Sequence, residues 1–332
     1  MERICFGVDI GGTGVKLGLF NTEGKLLEKW VFETRKAGGG RIIMQDTADF
    51  ILTKIKELNL DNNNLVGIGI GLPGPVKDDG EVLELPNLGL GHFNIVEHME
   101  KLTGLKVKAG NDANIAALGE QWQGSGKGYN SLVMVTLGTG VGGGIVVNGE
   151  ILAGSNGAAG EIGHLPLNPI ETDTCGCGKK GCLEQYASAT GIVRLARKEL
   201  SKYDEASALN KAVEASALNK AVEASALREY EEIDAKLIFD LAKEGDKLAI
   251  RVVDKACAYL GLALANVAQV VDPEAFIIGG GVSKAGDILI EKVSKHYNNN
   301  VMDALKNKHF KLAALGNDAG IFGAARMLIA SE

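Results

Sequence analysis

The sequence predicts an α/β protein of two domains with a cleft between them. Three observations carry that expectation. Strand-like and helix-like segments alternate along the chain, one glycine-tipped hairpin pattern occurs twice, and a length of 332 residues exceeds the usual reach of a single hydrophobic core.

The first strand reads Ile4 to Ile10, turns through Gly11-Gly12-Thr13-Gly14 and returns as Val15 to Phe20, with a second turn at Asn21 to Gly24. Arg41 to Leu58 then places Met44, Ala48, Ile51, Ile55 and Leu58 at helical spacing. Leu65 to Ile70 follows as a strand of buried type, which makes residues 4–70 a ββ(β)αβ unit. A helix is expected over Ala113 to Gln123. The hairpin plan recurs as Leu132 to Leu137, the glycine-rich run Gly138 to Gly144, Ile145 to Val147 and an Asn148-Gly149 turn. A long helix over Lys247 to Val271, a strand over Ala275 to Ile278 ending in Gly279-Gly280-Gly281, and a helix after Gly320 complete the alternation.

Glu205 to Leu227 is different in kind, because Glu-Ala-Ser-Ala-Leu-Asn-Lys-Ala-Val occurs twice in tandem and a third copy begins. Its alanine content favours helix. A nine-residue repeat makes two and a half helical turns, so successive copies turn opposite faces to any core and no single apolar stripe results. A tolerant surface segment without a function is the expectation.

Composition narrows the partners. A formal net charge of −7 argues against a nucleic acid held by bulk electrostatics and favours small-molecule ligands. The longest apolar stretch, Cys257 to Val271, is interrupted by Tyr259, Asn266 and Gln269 and falls short of the ~18 unbroken apolar residues of a membrane span. The N-terminus shows no leader pattern, so a cytoplasmic protein is expected. The 45 glycines are clustered in short runs, which points to loops where backbone must approach a ligand closely.

A phosphate group needs several converging N–H donors with no side chain in the way, and Asp9-Ile-Gly-Gly-Thr13 meets that demand. A lone glycine hairpin can equally be an ordinary tight turn. Two matching hairpins are more specific, since one can hold β- and γ-phosphates from each side of a cleft. Asp9 would then hold Mg²⁺ through water, and Lys16 would either face phosphate or stand as an exposed strand lysine. The pattern is not a P-loop, because no Gly-Lys-Ser/Thr follows four variable residues, and it does not match a dinucleotide fingerprint.

The second constellation is Glu161-Ile-Gly-His164 followed by Cys175-Gly-Cys177-Gly-Lys-Lys-Gly-Cys182-Leu-Glu184. Three thiols and one imidazole within nineteen residues, in a chain of five Cys and five His, specify a tetrahedral Zn²⁺ site. A disulfide is disfavoured by a reducing cytosol and by the closeness of Cys175 to Cys177. Four protein ligands close the shell, so the zinc is expected to be structural and to fix the loop carrying Glu161 and Glu184. Cys5 and Cys257 sit in apolar runs and read as core residues.

The third element, Asn111-Asp112-Ala-Asn114, opens a helix. Asp112 or Asn111 can be simply its N-cap. A helix N-terminus also keeps a carboxylate ionised, as a base working near neutrality requires.

Together these residues resemble the ROK family of sugar kinases, within the superfamily that includes actin, hexokinase and the heat-shock chaperone ATPases. The Cys-x-Cys-Gly-x-x-Gly-Cys-x-Glu signature is complete at 175–184, Glu-x-Gly-His is complete at 161–164, and the likeness runs from Asp9 to the C-terminus. Within the family it is strongest to the bacterial ATP-dependent glucokinases, which act on glucose at the start of glycolysis. The resemblance implies a two-domain actin/hexokinase-like (ribonuclease H-like) ATPase fold with an active-site cleft. A small N-terminal domain would cover 1–117, completed by a C-terminal helix at about 318–332, and a large domain would cover 118–317 with the zinc loop at 161–184.

By the same resemblance Asp112 is the catalytic base. Asn111, Glu161, His164 and Glu184 bind sugar hydroxyls, with Gly74 of Leu-Pro-Gly-Pro and Asn87 of Pro-Asn-Leu in the same pocket; turn composition alone would make these two ordinary turn residues. Gly11, Gly12 and Thr13 form the first phosphate loop, Gly138 and Thr139 the second, and Gly279, Gly280 and Gly281 the adenosine side. His164 would serve twice, one ring nitrogen on zinc and the other toward sugar. The expected reaction is transfer of the γ-phosphate of ATP to the sugar 6-hydroxyl, with Mg²⁺ as partner of the nucleotide. Other hexoses (mannose, fructose or an N-acetylhexosamine) are alternatives, since the geometry of one hydroxyl separates them. A sugar-sensing repressor is the alternative from another class. It is disfavoured because the first strand begins at Ile4, with no room ahead of it for a helix-turn-helix. Family members are commonly dimers or tetramers, so a homo-oligomer is expected.

Overall fold

The computed structural model describes residues 2–35, 40–82, 85, 88–209 and 225–330. The elements run β1 (Ile4–Ile10), β2 (Gly14–Asn21), β3 (Leu26–Glu33), α1 (Arg41–Glu57), β4 (Leu65–Leu72), β5 (Glu81–Val82), β6 (Phe93–Asn94), α2 (Ile95–Thr103), β7 (Val107–Asn111), α3 (Asp112–Gln123), β8 (Leu132–Leu137), β9 (Val141–Val147) and β10 (Glu150–Ile151). They continue through α4 (Glu184–Ala187), α5 (Ala189–Leu209), α6 (Ala235–Lys243), α7 (Lys247–Val271), β11 (Ala275–Gly279), α8 (Asp287–Asn300), β12 (His309–Leu312) and α9 (Ala319–Ile329). The expected alternation is present. Of the tandem segment, residues 205–209 close α5, and 210–224 lie outside the described residues. Among the described residues no helix is long and apolar enough to cross a membrane.

One five-stranded sheet has the order β3-β2-β1-β4-β7 and the other β10-β9-β8-β11-β12. Both follow the same plan, third-second-first-fourth-fifth in chain order, so the duplicated hairpin seen in the sequence is the start of a duplicated sheet. The chain divides into two compact units, one of residues 1–134, 143–160 and 313–332, the other of 135–142 and 161–312.

In the first unit β1 is buried on both faces, which explains a run that is apolar apart from Asp9. Phe6, Val8 and Ile10 share one face and join Ile43, Met44 and Ile51 of α1 and Ile95 and Met99 of α2 in the larger core cluster. Cys5 lies on the opposite face with Phe20, Val66 and, from α9, Ile321, Ala325 and Leu328. α9 lies so close to α3 that a methyl group on Gly323 would sit 1.5 Å from the Ile115 carbonyl oxygen. Gly323→Ala is therefore expected to lower stability by about 1–3 kcal/mol, the usual cost of overpacking. An unchanged midpoint in urea unfolding would show that the two helices separate freely.

The second unit is built around α7, capped by Asp246, whose side chain accepts from the Ala249 N–H, and buried along Leu248, Val252, Val253, Cys257, Leu260 and Leu264. Burial pushes the Cys257 thiol up to about 12, in keeping with a core residue. β11 is buried throughout, and Phe276 packs its ring 5.3 Å from Tyr297 and 5.0 Å from Phe310.

The sequence reading placed the returning strand of the second hairpin at Ile145, with Gly138 to Gly144 as loop. The strand instead begins at Val141. The reason is the packing of α3: a methyl group on Gly144 would lie 2.4 Å from the Ala113 carbonyl oxygen and 2.7 Å from Ala117 Cβ. That glycine serves helix packing within the sheet, which a run of glycines in sequence does not distinguish from a loop.

Candidate active site

In the first unit the tip of the β1–β2 hairpin carries Gly11, Gly12 and Thr13. The Gly11 N–H donates to the Gly14 carbonyl at 3.0 Å. Thr34 pins the tip from β3's end: its hydroxyl donates to the Gly11 carbonyl at 2.7 Å and its N–H to the Thr13 carbonyl at 3.2 Å. Thr34 escaped the sequence reading, since nothing local distinguishes it from any strand-end threonine. Asp9 and Lys16 are directly paired across the strands. Lys16 Nζ stands 3.3 Å from Asp9 Oδ2 and donates to the Asn317 carbonyl at 3.0 Å. Lys16 is thus part-buried and engaged, not a free strand lysine.

The start of α3 separates the two roles that the sequence left open. Asn111 is the N-cap, its side-chain oxygen accepting from the N–H groups of Ala113 at 3.0 Å and Asn114 at 3.1 Å. Its Nδ2 donates to the Gly74 carbonyl at 3.1 Å, which joins two of the expected sugar-pocket residues. Asp112 is the first residue of the helix, half-buried, with Oδ1 accepting from the Ala113 N–H at 2.7 Å. Gly74 has φ +123°. Asn87 lies outside the described residues.

In the second unit His164, Cys175, Cys177 and Cys182 offer donor atoms that all lie within 4.8 Å of one another. Cys175 Sγ is 3.7 Å from His164 Nδ1, and Cys177 Sγ is 3.7 Å from Cys182 Sγ. Tetrahedral bonds of about 2.0–2.3 Å separate ligand atoms by roughly 3.3–3.8 Å, so this donor set fits zinc. Nδ1 is the histidine nitrogen turned to the cluster, which leaves Nε2 on the far edge of the ring. The signature glycines shape the loop: Gly178 at φ +84° and Gly181 at φ +74° adopt the left-handed conformation that side chains resist.

Glu184 links this cluster to the second glycine loop. One carboxylate oxygen lies 3.6 Å from Cys175 Sγ, and the other accepts from the Val141 N–H at 3.2 Å. A methyl group on Gly140 would lie 2.1 Å from that second oxygen. Beside it, the Ala189 N–H donates to the Gly138 carbonyl at 2.8 Å and the Thr190 hydroxyl to the Thr139 carbonyl at 2.8 Å. At Gly138 and Gly281 an added methyl group would meet nothing within 4 Å, so those positions face open space. Glu161 is exposed at the start of the short turn Ile162–His164, and its carbonyl accepts from the His164 N–H at 3.1 Å.

A polar network behind the zinc loop was not read from the sequence. Glu171 accepts from the Tyr186 hydroxyl at 2.6 Å, from Lys198 at 3.1 Å and from Arg194. Burial opposes its ionisation, but the bonds from Tyr186, Arg194 and Lys198 prevail and hold its carboxyl well below the usual carboxylate range. Gln185 ties Cys182 to this network, accepting from the Cys182 N–H at 3.1 Å and donating to the Asp173 carbonyl at 3.0 Å. The only sequence signal was two cations, Arg194 and Lys198, at one-turn spacing on α5. A cavity of about 680 Å³ opens on the same helix, lined by Thr190, Val193, Arg197, Ile233 and Asp234 among others.

Each unit therefore carries part of the expected set. Asp9, Gly11–Thr13, Lys16, Gly74, Asn111 and Asp112 belong to the first, and Gly138, Thr139, Glu161, His164, the three cysteines, Glu184 and Gly279–Gly281 to the second.

Known proteins match this arrangement over its whole length. The sequence pattern of the ROK family matches residues 5–331. A glucokinase of Halalkalibacterium halodurans is 41% identical over 325 residues, covering 97% of this chain and 94% of the relative. Among solved structures, a ROK hexokinase from Thermus thermophilus superposes with a TM-score of 0.77 at 31% identity, over 98% of this chain and 97% of its own. A ROK family glucokinase from Streptomyces griseus, solved in complex with glucose and AMPPNP, has a TM-score of 0.70 at 32% identity over 98% of each chain. A paired glycine-hairpin plan, a complete Cys₃His cluster and full-length likeness to these kinases lead to one conclusion: the chain belongs to the ROK family.

Proposed function

We propose that the chain is an ATP-dependent hexose kinase that phosphorylates glucose at its 6-hydroxyl, with Asp112 as general base. The observation that carries the assignment of the base is that Asn111 takes the capping role at α3. Asp112 is then a first-turn carboxylate favoured as an anion by the helix N-terminus. The choice of glucose follows the named activity of the 41% identical relative and of the S. griseus protein.

The sugar is held by Asn111, Glu161, His164 and Glu184, with Gly74 in the same set. Asp112 accepts the proton of the 6-hydroxyl as that oxygen bonds to the γ-phosphorus. The bond from phosphorus to the β,γ-bridging oxygen breaks, and ADP departs with the electron pair. Asp9 would hold, through water, the Mg²⁺ that accompanies the nucleotide, whose charge would offset that of the phosphates. Gly11–Thr13 and Lys16 serve one phosphate loop, Gly138 and Thr139 the other, and Gly279–Gly281 the adenosine side. The cavity beside Thr190, lined by apolar Val193 and Ile233 and by Arg197, suits the nucleoside. His164, Cys175, Cys177 and Cys182 would hold zinc, which would supply a rigid cross-link and no reacting group. The protein acts in the cytoplasm on small molecules, without nucleic acid, as a dimer or tetramer.

The test is ADP release with MgATP against glucose, mannose, fructose, N-acetylglucosamine and N-acetylgalactosamine, with ³¹P NMR of the product. Glucose is expected to give the highest kcat/KM and a 6-phosphate. Faster turnover of an N-acetylhexosamine would replace glucose as substrate, and no sugar-dependent ADP release at all would overturn the kinase assignment.

A further inference from the structure

We infer that Glu120 is a positioning residue for phosphoryl transfer, tying the helix that presents Asp112 to the segment that holds Lys16 beside Asp9. This rests on the kinase reading above. Glu120 lies on α3, two turns beyond Asp112, and its side chain is fully buried. A buried carboxylate is costly unless its oxygens are satisfied. Here backbone N–H groups do so: Oε2 accepts from Ser125 at 2.8 Å and Ala314 at 3.1 Å, and Oε1 accepts from Leu315 at 2.7 Å. Such charge-assisted bonds are short and directional, which suits a clamp. The fit is tight on the near side too, since a methyl group on Gly124 would lie 2.0 Å from Oε2.

What the clamp holds is the approach to α9. Two residues past Leu315, the Asn317 carbonyl accepts from Lys16 Nζ at 3.0 Å. Asp318 pairs with Lys29 at 2.7 Å. Gly320 lies against Asp9 so closely that a methyl group there would be 2.8 Å from the Asp9 carboxyl carbon. A single path of contacts inside the first unit therefore runs from α3 through Glu120 to residues 314–317, and on to Lys16 and Asp9. Its two ends are the groups proposed to take the proton and to face the nucleotide's phosphates. A leucine could fill the same volume, but it would leave the Ala314 and Leu315 N–H groups unpaired and the carbonyl that steadies Lys16 unanchored.

Glu120→Gln isolates the effect. Both oxygens of Glu120 already accept, so whichever way the amide is turned its nitrogen must oppose at least one N–H donor, and residues 314–317 must shift. In the full-length protein kcat is expected to fall about tenfold and the MgATP KM to rise about fivefold, a scale typical of sub-ångström misplacement. Glucose binding, measured by calorimetry, stays within twofold. In a Lys16→Met background the further loss on adding Glu120→Gln shrinks to less than twofold, because both changes break one path. A merely structural glutamate would instead leave the MgATP parameters of the folded fraction at wild-type values, or add its full effect in the Lys16→Met background; either result overturns the inference. Glu120→Asp, which keeps the charge but shortens the reach, is read in parallel, and failure of both variants to fold would assign Glu120 to stability alone. If the wild-type protein phosphorylates no hexose, the kinase reading fails, while MgADP affinity in the same variants still reports on Glu120.

Discussion

Replacing Asp112 with asparagine is expected to lower kcat at least ~10²-fold while glucose and MgATP still bind, the scale of losing a general base. Two features make this variant clean. The cap is Asn111, so the helix start does not depend on residue 112 being charged. The Ala113 N–H bond at 2.7 Å can still be accepted by an asparagine oxygen. The loss should therefore fall on kcat and kcat/KM alike, which marks an interaction made in the transition state. Calorimetric titration with glucose would show near-normal affinity. Turnover near the wild-type rate would refute Asp112 as the base and return it to a helix-terminus role.

Removing the metal should be nearly as damaging, and through binding instead of proton transfer. The protein is expected to carry one zinc per chain by atomic emission, and Cys177→Ser or strong chelation should abolish it. Burial pushes the Cys182 thiol up to about 12, so without a cation that thiol keeps its proton and the cluster loses its cross-link. Glu184 sits between Cys175 and Val141, the first strand residue after the glycine loop. Loosening of the cluster should therefore raise the KM for glucose about tenfold or more, as for losses around metal sites, with a smaller rise for MgATP. The melting temperature should fall in parallel with zinc content. A zinc-free protein with full activity and an unchanged melting temperature would remove the proposed role of the cluster.

The parts of the site that could be read in the chain are those whose partners are near in sequence. The four residues of the Cys₃His cluster fall within nineteen residues, and left-handed glycines at 178 and 181 close the loop locally, so spacing alone pointed to a set that the structure brings together. The β1–β2 hairpin was equally legible, since its tip bond joins Gly11 to Gly14. The glycines at 142–144 misled in part, because a glycine run looks the same whether it frees a loop or makes room for a helix.

Asp112 shows the boundary between the two kinds of information. Sequence could say that a helix starts there and that either Asn111 or Asp112 caps it; only the backbone geometry, with Asn111 accepting from two N–H groups, separated cap from carboxylate. Glu120 lies wholly on the far side of that boundary. Two of its three N–H partners are 194 and 195 residues away, and no pattern within a helix distinguishes a buried glutamate from one on a solvated face. The chain by itself determined the alternation of strands and helices, the duplicated hairpin, the Cys₃His cluster and the family. Tertiary structure decided which residue caps α3, which carboxylate is buried and which glycines serve packing, because hydrogen-bond satisfaction and close contact are properties of neighbours in space, and for Glu120 and the packed glycines those neighbours come from distant parts of the chain.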